Sequence, residues 1–396
     1  MNYILFDDET RISLLPFTFT RPVAEIRIGI LTIREKWERY LAQPVSHLTQ
    51  PFLQEKFPLK VAAENILING SILPDKKLIA EINKLKTGET LAKDEVVIAA
   101  CLPKSDVEKP DLIVQVDLSS AKQYADPLFK ISFNWDIFSK NDQALKDDFQ
   151  LITSGKKSQP ISNTNQVLGT ENIFIEAGAK VECSILNGTT GYIYIGKDAE
   201  VMEGAMIRGP FALGESSIVK MGTKIYGATT IGPYSRIGGE INNAVIFGQS
   251  NKAHEGYLGN SVIGEWCNLG ADSNNSNLKN NYSNVKVWNY RNETFMNTGL
   301  QFCGLMMADH SKCSINTMFN TGTVVGVSAN IFGTGFPPKY IPSFSWGGSE
   351  GFKTFRLEEA MEVGQRVYER RGKKFDESEK KIMKHLFDAT TKYRAW

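Results

Sequence analysis

Cysteine is scarce and unpaired in this chain. Five are spread over 396 residues, at Cys101, Cys183, Cys267, Cys303 and Cys313, with no Cys-x-x-Cys spacing. An odd, scattered set argues against a disulfide framework and a cysteine zinc site, and favours a reducing compartment. Charge of one sign is lacking too: 45 Lys and Arg against 44 Asp and Glu leave +1. That balance offers no bulk attraction to nucleic acid. No apolar run approaches the roughly 20 residues of a membrane helix. The opening segment Met1–Glu9 has no basic stretch, so no secretory signal is expected. These absences lead us to expect a soluble cytoplasmic protein of two or three domains, with no nucleic-acid or membrane partner.

What the chain does have is a beat of six. Ile195, Val201, Ile207, Leu213, Val219, Ile225, Ile231 and Ile237 stand at consecutive six-residue steps, and Met307, Cys313, Phe319, Val325 and Ile331 resume it. Neither a helix nor a continuous strand has that period. It fits a triangular prism in which each short side points one aliphatic residue inward and successive coils bury one another. The β-helical texture runs from about Gln166 to Gly333 and stumbles between Asn243 and Leu300, where Asn-rich stretches suggest an excursion loop. Pro337–Gly348 reads as a cap. Two helices are expected after it, over about 354–371 and 376–393.

Residues 1 to about 160 read as α/β. Tyr3–Phe6, Ile66–Ile68 and Val96–Ala99 are strand candidates, and Ile30–Leu41, Lys77–Leu85 and Asp136–Phe149 have helical spacing. The expected division is 1–160 for the α/β domain, 161–350 for the β-helix and 351–396 for a helical arm. Ser154–Asn165 is the expected linker.

One of only four histidines lies inside the solenoid, in Asn251-Lys-Ala-His254-Glu-Gly-Tyr257-Leu-Gly-Asn, followed by Ile263-Gly-Glu-Trp-Cys-Asn268-Leu-Gly-Ala271. Acyl transfer from a thioester to an amine needs a base near neutral pH. It also needs a donor for the developing oxyanion, which a backbone N–H at a tight corner can supply. A surface histidine with no role is the plain alternative.

This run resembles the acetyltransferase half of the GlmU family, bifunctional glucosamine-1-phosphate acetyltransferases and N-acetylglucosamine-1-phosphate uridylyltransferases. The whole chain resembles the divergent GlmU-like branch of Bacteroidetes-type bacteria. The resemblance implies a left-handed parallel β-helix, a homotrimer and acetyl-CoA as cosubstrate. It implies His254 as general base, with Glu240 contacting substrate or orienting the imidazole. Tyr257 and Asn268 would contact the sugar phosphate, and the Ala271 N–H would face the thioester oxygen. Asn277 falls where the family approaches coenzyme A. Two departures stand out: the family's Lys-Lys is Asn242-Asn243 here, and its Leu-Arg-Pro-Gly clamp is Val219-Lys220-Met221-Gly222. Lys220 binds phosphate without the guanidinium fork, and Arg236, Lys252 and Lys279 are the cations that could compensate.

At the amino terminus the family's Gly-x-Gly-Thr-Arg, Leu-Pro-x-Thr and Pro-Lys pieces appear as Asp7-Asp8-Glu9-Thr10-Arg11, Leu15-Pro16-Phe17-Thr18 and Arg21-Pro22-Val23. Resemblance implies Arg11 at the transferring phosphate and Thr10 and Arg21 as substrate ligands. The carboxylates of Asp7, Asp8 and Glu9, where the family has glycines, would repel a triphosphate unless Mg2+ bridges them, which makes Asp7 and Asp8 the candidate metal ligands. The nucleoside triphosphate would be UTP. Asn69-Gly70-Ser71 stands where such enzymes use Gly-Asp for the metal. The basic run Arg366, Arg370, Arg371, Lys373 and Lys374 reads as a solvated helix face. By resemblance, the terminal arm could instead reach a neighbouring subunit's coenzyme A site. Two other readings remain: a nucleotidyltransferase with a purely structural β-helix, and a non-catalytic sugar-nucleotide-binding regulatory protein.

Overall fold

The computed structural model describes residues 1–108 and 118–396. The chain forms two compact units. The first comprises Met1–Leu14, Thr20–Ile26 and Leu31–Phe133; the second comprises Leu15–Phe19, Arg27–Ile30 and Asn134–Trp396. The helices at Asp136–Ser139 and Asn141–Thr153, which sequence reasoning grouped with the α/β domain, thus belong with the solenoid.

The first unit is built on one sheet: β1 (Asn2–Phe6), β2 (Ser46–Leu48), β3 (Glu64–Asn69), β4 (Thr90–Lys93), β5 (Val96–Pro103) and β6 (Lys122–Gln123), in the order 2-1-3-5-4-6. β1 runs parallel to both neighbours, β2 and β3, while β5 is antiparallel to β3. Buried runs such as Tyr3-Ile-Leu-Phe6 suit strands covered on both faces. The helix Ile33–Leu41 starts at a reciprocal capping box between Thr32 and Glu35 and buries Trp37, whose indole N–H donates to the Ile72 carbonyl. With neighbours of β1 reached in opposite directions, the carboxyl ends of β1 and β3 form a topological switch point, the usual place for a ligand crevice.

The second unit is a left-handed β-helix with three sheets of six, nine and ten strands. The six-residue beat lands as expected: Ile195 to Ile237 and Met307 to Ile331 all lie in one buried column. Each inward residue stacks on its equivalent one coil away, as Val201 does on Val219 and Val219 on Ile237. At one corner eight successive coils set a non-glycine residue in the left-handed region: Asp198, Ser216, Tyr234, Gln249, Trp266, His310, Ser328 and Phe344, with φ between 55° and 64°. Single residues in that conformation cost on the order of 1–2 kcal/mol, which the stacked ladder must offset.

The interruption differs from expectation. Coils continue through Asn274–Asn275, and the excursion occupies 276–303, carrying the hairpin Lys286–Asn289 with Thr294–Asn297. Between Asn243 and Asn275 the coils only change length. Pro337–Gly348 supplies one more coil, and the antiparallel strand Gly351–Thr354 follows it. The helices Leu357–Arg370 and Glu377–Ala389 then return to the solenoid wall. No helix among the described residues is long and apolar enough to cross a membrane.

Candidate functional site

A cavity of about 750 Å3 lies on one face of the prism beneath the first terminal helix. Its floor is a ladder of outward-pointing residues on neighbouring strands: Arg236, Asn251, Asn268 and Lys312 pair in register. Strand spacing sets these about 4.8 Å apart. Its roof is Val367, Arg370 and Arg371. The roof is pinned by stacking of Tyr368 on Trp266 at 3.9 Å, and by Arg371, whose guanidinium donates to the Tyr234 carbonyl at 2.7 Å and to Asn251 Oδ1 at 3.1 Å. Lys373 lies over the Tyr234 and Trp266 rings.

Among the described residues, four cations therefore line this cavity and no carboxylate does. Burial lowers Arg371, and the neighbouring charges of Arg236 and Arg370 lower it further. Burial likewise lowers Lys312, whose ammonium donates to the His310 carbonyl at 2.9 Å. Like charges held together in a partly dry pocket are an anion site: a phosphate would relieve their repulsion.

His254 and Ala271 stand at the rim, on the corner that leads from this face to the next. Their coils touch directly, with the Asp272 N–H donating to the Glu255 carbonyl at 3.0 Å. The His254 imidazole is exposed and has no hydrogen-bond partner among the described residues, and the Ala271 N–H has none either. A free base and a free amide donor thus share one edge of a basic cavity.

Around that corner the adjoining face carries a different set. Glu240 accepts from the Tyr226 hydroxyl at 2.5 Å. Asn277 donates to the Tyr257 hydroxyl at 2.9 Å and to Asn260 Oδ1 at 2.7 Å. Aromatic rings among carboxamides and a carboxylate suit a polyol. Tyr257 lies flat over Gly259, where an added Cβ would meet its hydroxyl at 2.3 Å. Gly259→Ala should therefore displace the ring and break its bond to Asn277 while changing stability by no more than about 1 kcal/mol, since a flexible side chain yields. Thermal melts and the acceptor KM would read the two effects separately.

Several expectations are corrected. Lys252 is not a substrate ligand: it is buried to 1% exposure with its ammonium bonded to three backbone carbonyls. Glu240 does not orient His254, being engaged by Tyr226. Asn268 lines the cavity while Tyr257 lies on the adjoining face, so one chain does not bring them together. Asn277 and Lys279 do not line the cavity, and Lys279 donates to the Asn284 carbonyl at 2.7 Å within the excursion. Lys220 stands on the same edge as His254, two coils earlier. The terminal arm lies on the solenoid of its own chain. Lys312 and Trp266 were not singled out; Arg370 and Arg371 belong to the basic run that reads from sequence as a solvated helix face, with a neighbouring subunit's coenzyme A site as the alternative. Lys312 precedes inward Cys313 as Arg236 precedes inward Ile237, so the phase of the beat held a usable signal.

In the first unit, residues at the β1/β3 switch point gather around Asp7 and Asp8. Asp7 accepts from the Val23 N–H at 2.8 Å and the Thr49 hydroxyl at 2.5 Å, with Arg11 3.8 Å away. Its burial raises its pKa, against those lowering contacts. Asp8 accepts from the Thr10 N–H and from Asn69 at 2.9 Å each, and Lys130 stands 3.6 Å off while donating to the Thr10 hydroxyl. Arg11 lies over the Phe52 ring, and burial lowers its pKa. Arg21 is buried. Mg2+ needs only one or two carboxylates beside its substrate's phosphates. Asp7 and Asp8 each already accept hydrogen bonds and stand beside a cation, so an ion there would have to compete with Arg11 and Lys130. Lys130 and Thr49 were missed because nothing local marks them.

Residues 3–157 match the sugar nucleotidyl transferase family. No curated protein matches the chain. Among solved structures the chain is similar to the UDP-N-acetylglucosamine acyltransferase of Arabidopsis, at 18% identity over 58% of this chain and 81% of that one, with a TM-score of 0.29. It is also similar to the polySia-specific acetyltransferase NeuO, at 12% identity over 53% and 99%, with a TM-score of 0.29. A hexapeptide transferase family protein of Anaplasma phagocytophilum shares 14% identity over 58% and 92%, with a TM-score of 0.20.

Proposed function

We propose that the solenoid transfers an acetyl group from acetyl-CoA to the amine of an amino-sugar 1-phosphate, of the glucosamine type, for nucleotide-sugar synthesis in the cytoplasm. The observation that carries this reading is the corner itself. An unbonded imidazole and an unbonded amide N–H stand between a basic cavity and a polar, aromatic face.

The coenzyme's phosphates would lie among Arg236, Lys312, Arg370 and Arg371. The acceptor would lie against Tyr226, Glu240 and Tyr257. His254 takes a proton from the amine as its nitrogen attacks the thioester carbon. The carbonyl oxygen gains charge opposite the Ala271 N–H. The C–S bond then breaks, and the leaving thiolate takes up a proton, so that the products are the amide and free coenzyme A. Three copies around a threefold axis would set one chain's Tyr257 face near another's cavity, which would reunite Tyr257 with Asn268.

The first unit, on the same proposal, couples a sugar 1-phosphate to a nucleoside triphosphate such as UTP. The match of residues 3–157 supports this. Arg11 and Lys130, on either side of the switch-point carboxylates, would neutralise the transferring phosphate. Pyrophosphate release from UTP and N-acetylglucosamine 1-phosphate should fall at least tenfold in Arg11→Ala and in Lys130→Ala. No release with any nucleoside triphosphate would sink that half. The acetyl half is tested by coenzyme A release with a panel of amino-sugar phosphates; absence of turnover with all of them would sink it.

A further inference from the structure

Along one wall of the solenoid the inward residue is apolar on coil after coil: Val181, Val201, Val219 and Ile237, then Leu269, Cys313 and Ile331. Between Ile237 and Leu269 that place belongs to Lys252, which pairs with Ile237 and is buried to 1% exposure. A charge inside an apolar column is costly unless its donors are fully used. Here they are: the ammonium donates to the carbonyls of Gly238 at 3.1 Å, of Glu255 at 3.1 Å, and of His254. Gly238 belongs to the preceding corner and His254 and Glu255 to the corner at the cavity rim. One side chain therefore clamps the His254 corner to the coil before it, from within.

We propose that Lys252 is a positioning residue for acyl transfer, fixing the backbone of residues 253–256 so that the His254 imidazole projects beside the Ala271 N–H. This rests on the acyl-transfer reading of the same site. A hydrophobic residue, as seven other coils use at this position, would fill the column, take this donor from the Gly238 and His254 carbonyls, and leave that of Glu255 to the Asp272 N–H.

The clamp has a pH signature. Burial lowers Lys252 to about 8, partly opposed by Glu255, Cys313 and Asp272, the titratable groups facing it. Above that pH a neutral amine has two donors for three carbonyls. The acceptor amine gains free base as pH rises, so an alkaline fall that Lys252→Met abolishes would come from the clamp.

The test compares steady-state kinetics of the full-length wild type and Lys252→Met from pH 6.5 to 9.5, using acetyl-CoA and the best amino-sugar phosphate. The variant should lose kcat 30-fold or more at pH 7, hold both KM values within threefold, and show no alkaline fall. A folded variant with kcat within twofold of an active wild type would overturn this inference and leave the acyl-transfer reading standing. An inactive wild type would overturn that reading and this role with it. Should Lys252→Met fail to fold, the wild-type profile decides: kcat should fall through about pH 8, and a rate level or rising to pH 9.5 would overturn the inference.

Discussion

His254→Gln should abolish acetyl transfer while leaving the protein folded. General-base contributions run at about 10²–10⁴-fold, and a glutamine side chain cannot take the amine's proton. The structure predicts no compensating loss of stability. The imidazole is exposed and makes no hydrogen bond within the described residues, so its removal breaks nothing. Thermal midpoints of the two proteins should agree within about 2 °C, because surface substitutions stay within roughly 0.5 kcal/mol. The corner is held through its backbone by Lys252, not through the imidazole. A variant retaining a third or more of wild-type coenzyme A release would remove His254 as the base, and no release from the wild type itself would favour the reading in which the β-helix serves only as scaffold. The first unit provides a control, since pyrophosphate release should be unchanged.

How far the sequence reached is clearest in the solenoid. An inward residue every six positions is a direct consequence of three short sides per coil, so Ile195 to Ile237 could be placed without coordinates. The excursion was misplaced because coils of 15 and 17 residues break the beat without breaking the stack: Ile237 still pairs with Lys252. From sequence, Lys252 reads as a cation that could replace charge missing from the family's phosphate site. Only its three carbonyl partners reveal the other role. The roof of the cavity was illegible for a different reason. Arg370 and Arg371 lie more than a hundred residues from Arg236, and what unites them is the stacking of Tyr368 on Trp266, a contact no periodicity encodes. In the first unit the ordered fragments Thr10-Arg11 and Asp7-Asp8 did mark the switch point. Their pairing with Thr49 and Asn69 follows from strand order, and with Lys130 from its bridge to Ile72, and none of these had a signal nearby.

Replacing Arg370 and Arg371 together by glutamate should raise the KM for acetyl-CoA about 100-fold or more, with kcat within threefold. Each charge-assisted contact to a phosphate is worth roughly 1.5–3 kcal/mol, and about 1.4 kcal/mol is a factor of ten. Two lost contacts therefore account for a hundredfold even at the lower bound, and reversed charge adds to it. The dependence on ionic strength should weaken in step, because fewer opposite charges face the ligand. Arg371 also tethers the roof through Tyr234 and Asn251, so a structural loss must be told from a lost ligand contact. Arg371→Lys keeps the charge and loses the fork, and its KM should rise only about three- to tenfold. Acetyl-dephospho-CoA closes the cycle. If the roof arginines meet the 3′-phosphate, wild type should lose affinity for this analogue and the double glutamate variant should lose little more. Equal losses in both proteins would place the roof charges elsewhere along the coenzyme. An unchanged KM for acetyl-CoA itself would remove the basic cavity from the coenzyme's path.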